Sequence, residues 1–268
     1  MDYNFKTEKG NSIQLLQGDC LERMKEISDG SVDMILTDPP YGTVACAWDS
    51  IVDLDLMWEQ LKRIIKPNGA IVLMGNEPFT SKLVCSNLKD FKYRWDWKKN
   101  KSTGFLNAKK QPLRCIEDLC VFYSKQPTYN PQKTTGHKPV NTFTKHTSDG
   151  ETMGKTKLGI SGGGQTDRYP TNCIDHIPVM NNDKSHGVKI HPTQKPIELM
   201  EYMIRTYTNK GETVLDFTIG SGSTILAADN LGRNAIGIEM GVCEKKGHKY
   251  EGKPWTDVVY TRLTQEEK

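Results

Sequence analysis

VLDFTIGSGST, residues Val214 to Thr224, decides the fold. A short apolar run stops at an acid, Asp216. Two glycines, Gly220 and Gly222, then open a stretch with helical spacing from about Ser223 to Leu231. Strand, glycine turn and helix in that order begin a parallel α/β unit, and the turn lets the backbone approach a ligand at the carboxyl edge of the sheet. The next apolar run, Asn234 to Met240 (NAIGIEM), carries Glu239 nineteen residues after Gly220, placed to accept hydrogen bonds from ribose hydroxyls. A dinucleotide fingerprint requires a third glycine where the helix packs on the strand, and here that position is Ile225. The pair of acids therefore suits an adenosine-type ligand without a pyrophosphate, which disfavours an NAD-dependent oxidoreductase.

The same grammar fills the N-terminal half. Ser12 to Gln17 precedes a helical pattern at Cys20 to Ile27, Val32 to Thr37 precedes Leu54 to Ile65, and Ala70 to Met74 precedes Phe79 to Leu88. Glu117 to Ser124 reads as a further strand, with Tyr93 to Trp97 as its partner. Continuous apolar strands alternating with helices predict an α/β protein with a doubly wound, mostly parallel sheet covered on both faces. Residues 127–190 differ in kind, being rich in Gly, Thr, Asn, Lys and Pro with no period of either type. The chain thus divides into residues 1–126, an irregular insertion at 127–190, and residues 191–268.

With 268 residues, 26% charged and 36% hydrophobic, the chain has an ordinary soluble composition and enough length to bury a core. Its net charge of +3 argues little, but its distribution argues more. Between Lys98 and His146 stand ten basic residues and two acids, an excess larger than that of the whole chain. Lys98, Lys99, Lys101, Lys109, Lys110 and Arg114, interleaved with Phe105, Asn107 and Gln111, are candidates for phosphate contacts on a polyanionic partner. Seven cysteines, an odd number without a C-x-x-C pair, fit neither a disulfide framework nor a zinc ribbon and favour a reducing, cytoplasmic compartment. Cys173, His176, His186 and His191 match no standard metal-ligand spacing, so no metal is expected. No apolar stretch reaches the length of a signal peptide or a membrane span.

The run Val32 to Leu36 ends at Thr37-Asp38-Pro39-Pro40-Tyr41-Gly42. Two prolines cannot continue a central strand, so the acid sits at a stiff strand end with an aromatic ring behind it. Taken with His191-Pro192-Thr193-Gln194-Lys195-Pro196 and Asp216 to Gly222, three motifs stand in a fixed order. In that order the chain resembles the β-type N6-adenine/N4-cytosine DNA methyltransferases that use S-adenosylmethionine.

The resemblance implies a Rossmann-like methyltransferase fold with permuted motif order. It makes residues 1–126 the catalytic half, 127–190 the target-recognition insertion and 191–268 the cofactor-binding half. It implies catalysis by Asp38, Pro39, Pro40 and Tyr41 on an amino group of a base flipped out of double-stranded DNA. Aspartate in the first position leans toward adenine, because the cytosine-N4 enzymes usually carry serine there. Thr193 and Lys195 become candidates for the methionine carboxylate of the cofactor, and Asp19 with Cys20 for the neighbourhood of its adenine. Asp216, Phe217, Thr218, Gly220, Ser221, Gly222 and Glu239 complete the expected cofactor site. The chain departs from the common D-P-F-x-G-x-G in having no proline and its phenylalanine one place early. A cytosine-N4 enzyme and an inactive DNA-binding protein of the same fold are the alternatives. A homodimer and a cognate restriction endonuclease are left open as partners.

Overall fold

A computed structural model describes residues 1–42, 50–144, 159–179, 190–191, 194–244 and 246–264. Strand β3 (Val32–Thr37) stops before Asp38-Pro39-Pro40, as the prolines require, and β10 (Thr213–Asp216) stops at its acid. These two strands lie side by side and parallel, Val214 opposite Met34 and Leu215 opposite Ile35. The acid inside β3, Asp33, holds the pair in register by accepting from the Thr213 N–H at 2.9 Å and from Lys66. A carboxylate in an apolar run is thereby satisfied rather than stranded.

From β10 the chain passes through α5 (Ser223–Asn230) to β11 (Asn234–Glu239), which pairs with β2 (Ser12–Gln17), itself followed by α1 (Cys20–Met24). From β3 it passes the opposite way, through α2 (Leu54–Ile64) to β4 (Ile65–Gly75) and then α3 (Phe79–Ser86). Strands β2, β11, β10, β3 and β4 are parallel, and β5 (Phe91–Thr103) with β6 (Arg114–Phe122) forms an antiparallel hairpin beside β4. A short β1 (Tyr3–Lys6) pairs antiparallel with β2 on one edge. Numbering β7 (Phe143–Thr144) and β8 (Ser161–Gly162) in chain order, β9 (Cys173–Ile174) closes the other edge beside β5. The winding direction reverses between β10 and β3, and a crevice at such a switch point is where open α/β sheets bind ligands.

Alternate residues of the central strands feed two cores. Met34, Leu36, Ala70, Val72 and Met74 pack with α4 (Ile197–Tyr207) and α5, whereas Ile35, Ile71 and Leu73 pack with α1, α2 and α3. This period of two is what covering both faces demands. Ile225, standing where a dinucleotide site has glycine, reaches toward Gly237 of β11, whose absent side chain leaves room for it and for Ile219. Close approach of helix and strand is thus achieved with the glycine on the strand instead of the helix. Helix α6 (Trp255–Thr264) packs Val259 against Gly222, where an added Cβ would come within 2.5 Å of a Val259 methyl.

The chain forms two units, Met1–Asn130 with Asn172–Lys268, and Pro131–Thr171. The smaller one lies inside the irregular segment expected at 127–190 and is shorter than it. It carries the two-stranded ribbon β7–β8, paired bridges at Thr134 and Arg168, and a Lys133–Asp167 ion pair at 2.8 Å.

Candidate active site

Asp38 stands one residue beyond the carboxyl end of β3, and its side chain is one-quarter exposed. Its Oδ2 accepts from Lys195 Nζ and its Oδ1 from the Tyr41 hydroxyl at 2.5 Å. The same Lys195 ammonium lies 2.8 Å from Glu117 Oε1, and the Tyr41 hydroxyl also reaches that oxygen at 3.3 Å. Glu117 Oε2 is 3.4 Å from Lys99 Nζ. Two carboxylates, two ammonium groups and a phenol are therefore linked in one connected set, most of it buried.

The electrostatics follow from that connection. Burial raises the pKa of Asp38 above the ordinary carboxylate range; the negative charge of Glu117 adds to the rise, while Lys195 and Tyr41 oppose it. Burial acts on Glu117 in the same sense, but Lys195 and Lys99 outweigh it and hold Glu117 below its usual value. Burial disfavours the Lys195 ammonium, yet the two carboxylates more than reverse this and keep it charged. Burial and both carboxylates push the Tyr41 phenol well up, so it stays a neutral donor. Glu117 is thus the firmly charged acid, and Asp38 is the acid whose charge depends on its neighbours.

Each member is positioned by a different element. Ser223, the first residue of α5, donates its hydroxyl to the Lys195 carbonyl at 2.8 Å and so fixes the base of the lysine. Thr218 Oγ1 donates to the Asp38 carbonyl at 3.2 Å, and Pro39 is buried. Phe79, at the start of α3, stacks on Tyr41 with centroids 5.2 Å apart and fixes the ring plane. Across the switch point the Thr37 hydroxyl donates to Asp216 Oδ1 at 2.9 Å and accepts from the Phe217 N–H at 3.0 Å. The two motif-bearing strand ends are tied together by this one threonine.

The residues expected around a cofactor take several distinct positions. Asp216 is buried and accepts from Thr37, Thr218 and Thr224; burial still raises its pKa to about 6. The Phe217 ring is wholly buried in the core on the α1–α3 side of the sheet. Gly220 and Gly222 have positive φ, and space around Gly220 is open, with nothing within 4 Å of where a Cβ would stand. Glu239 Oε2 accepts from the Gly220 N–H at 2.8 Å, and its Oε1 from Met240 and Gly241. A carboxylate has about four acceptor positions. Three main-chain donors therefore leave Glu239 capacity for one further hydroxyl. Asp19 caps α1 through Oδ1, accepting from Leu21 and Glu22, and Cys20 beside it is buried with its thiol pushed up to about 12. The Ser221 carbonyl accepts from Arg262 of α6. Lys195 directs its ammonium at Asp38 and Glu117, and Thr193 lies outside the described residues.

The candidate DNA contacts divide in the same way. Lys98, Lys101, Asn107, Lys109 and Lys110 are exposed on the β5–β6 hairpin, with Arg114 half-buried where β6 leaves its loop. Lys99 instead leaves only 7% of its side chain accessible and points at Glu117. Glu117 is the member of the site that sequence reading missed, having counted it only as an acid within a basic run. The parity of the strand held a signal: Glu117 is the acid of β6 that faces the same way as Leu119 and Val121. Among the described residues no three His, Cys, Asp or Glu side chains cluster to hold a metal, and no helix is long and apolar enough to cross a membrane.

Residues 32–245 match the family N6_N4_Mtase, described as DNA methylase. The chain belongs to this DNA methylase family. It is 25% identical over 248 residues to the type II methyltransferase M.HpaI of Haemophilus parainfluenzae, covering 85% of this chain and 70% of that one. It is 26% identical over 240 residues to the type II methyltransferase M1.MboII of Moraxella bovis, covering 84% and 90%. The fold is shared with the solved M1.HpyAVI–SAM complex, at TM-score 0.56 and 23% identity, covering 94% and 100%. It is also shared with the cytosine-N4-specific PvuII DNA methyltransferase, at TM-score 0.61 and 16% identity, covering 97% and 96%.

Proposed function

We propose that the protein transfers a methyl group from S-adenosylmethionine to the N6 amino group of an adenine flipped out of double-stranded DNA at a specific sequence. The observation that carries this is the placement of Asp38, held by Lys195 and Tyr41, at the switch point directly beside the glycine turn after β10. Asp216, Gly220, Ser221, Gly222 and Glu239 would hold the cofactor, with Asp19 and Cys20 at the neighbouring strand end. The open space at Gly220 and the remaining acceptor of Glu239 fit a ribose hydroxyl there. When bound, the cofactor supplies an electrophilic methyl group on a sulfonium.

What the chain itself does is make a poor nucleophile usable. The adenine amine has its lone pair delocalised into the ring. Accepting hydrogen bonds from both its N–H groups moves the nitrogen toward tetrahedral geometry and frees that pair. Asp38 is one acceptor and the Pro39 carbonyl the other. The prolines fix the backbone before the base arrives, so little ordering remains for the transition state. Tyr41, backed by Phe79, offers an aromatic face for the flipped base. Such stacking is worth about 1–3 kcal/mol and offsets part of the few kcal/mol spent on unstacking.

Adenine is favoured over cytosine by aspartate at position 38. Likeness to a cytosine-N4 enzyme at 16% identity is a likeness of fold and does not discriminate. The test is incubation of DNA with labelled S-adenosylmethionine, digestion to nucleosides and chromatography. N6-methyldeoxyadenosine is expected; N4-methyldeoxycytidine, or no labelled nucleoside, overturns the proposal.

A further inference from the structure

Strands β5 and β6 run out beyond the same sheet edge that carries Asp38, because β5 is parallel to β4 and the start of β6 brings Glu117 to the site. At the tip of their hairpin, Phe105–Asn107 forms a single 3-10 turn after Gly104, whose positive φ lets the chain reverse. The turn is closed by main-chain bonds from Asn107 to Gly104, Ala108 to Phe105, and Lys110 and Gln111 to Asn107. This tightly bonded tip presents Leu106 fully to solvent, at 102% exposure, and Phe105 at 76%. Two large apolar side chains on a closed turn gain nothing for folding.

The surroundings identify what they meet. Between Lys98 and Ile116 the chain carries six cations and no acid, and Lys98, Lys101, Lys109 and Lys110 are exposed around the apolar tip. An apolar point ringed only by positive charge is complementary to a polyanion with an apolar interior, which is a stacked duplex. From Glu117 to Arg114 the strand spans only about 10 Å at ~3.4 Å per residue. Arg114 pairs with Thr103, three residues before Leu106, so the tip lies within the reach of one DNA duplex whose extruded base occupies the Asp38 site.

We infer that Leu106, with Phe105 beside it, is a wedge that enters the DNA base stack and occupies the space left by the extruded target base. The lysines around it hold the backbone while the wedge stops the base from returning. This rests on the proposed methyl transfer to a flipped base. It assigns to the hairpin tip a task separate from phosphate binding.

The test compares Leu106→Ser with Phe105→Ser and the double variant on two duplexes carrying the methylated sequence, one fully matched and one with the base opposite the target removed. Removing the opposite base makes extrusion cheap without altering the active site. On the matched duplex the single-turnover methylation rate of the double variant is expected to fall about tenfold or more, as is the fluorescence of 2-aminopurine placed at the target. On the abasic duplex the rate should return to within about threefold of the wild-type protein, with the salt slope of binding unchanged. An equal loss on both duplexes, an undiminished rate on the matched one, or a dimer that the double variant converts to monomer overturns the wedge. A wild-type protein that methylates neither duplex would instead overturn the reading on which the wedge rests.

Discussion

Replacing Glu117 by Gln tests the charge set around Asp38 most finely. The Tyr41 hydroxyl touches both carboxylates, so their oxygens lie within about 6 Å of one another. At an effective dielectric of ~20 two negative charges at that separation repel by about 3 kcal/mol, which disfavours the ionised form of Asp38. Glu117→Gln removes this repulsion and leaves Lys195 wholly to Asp38, while Tyr41 and Lys99 are uncharged or remote from Asp38. Both effects lower the pKa of Asp38, which is raised in the native site. Because Asp38 must be ionised to accept an N–H, the acid limb of the rate should move to lower pH. The assay is single-turnover methylation of DNA across pH 4.5 to 8 at saturating cofactor. A lower plateau with a shifted limb is still the expected result, since Glu117 also orients Lys195. An acid limb that stays in place or moves upward would refute the electrostatic argument.

Asp216 has its folded pKa raised to about 6 from 3.8, so the folded state holds the extra proton between those values. Its contribution to stability is full below about pH 4 and is lost as pH rises through 6. The stability of the wild-type protein relative to Asp216→Asn should therefore fall by about 2 kcal/mol from pH 4 to 7.5 in urea melts; a flat difference contradicts the assigned burial. Gly222→Ala should lower stability by about 2 kcal/mol or more, because its Cβ strikes Val259 at a positive φ, whereas Gly220→Ala should cost only about 1 kcal/mol. Equal losses would remove α6 from the explanation. Lys109→Gln combined with Lys110→Gln should make the slope of log affinity against log salt shallower by about two; an unchanged slope excludes both from the phosphate footprint.

Much of the fold was legible because its signals are local. The Asp38-Pro39-Pro40 break, the glycine turn after Asp216 and the apolar runs between them each act within a few residues, and β3, β10 and α5 formed where those signals lay. Strand β4 begins earlier than its apolar stretch, at Ile65, because that end pairs with Val32 across an irregularity despite Pro67. Strand β1 is four residues long on a sheet edge, too short for alternation to register. Helix α6 owes its place to packing of Val259 on a glycine far away in sequence. The site was half legible for the same reason. Asp38 and Tyr41 are three residues apart, but Lys195 meets Asp38 across 157 positions. Glu117 meets Tyr41 across 76. No sequence period carries such pairings, and so a lysine in a proline-bounded motif and an acid in a basic run kept their partners hidden.

Asp38 makes the amine reactive without holding the cofactor in the proposed reaction. Its most direct test pairs calorimetry with S-adenosylmethionine and single-turnover methylation of DNA for Asp38→Ala against the wild-type protein, with thermal melts to establish folding. A folded variant is expected that binds the cofactor within about threefold of wild type and transfers no measurable methyl group, a loss of the size produced by removing an obligatory acceptor. Undiminished methyl transfer by Asp38→Ala would contradict it.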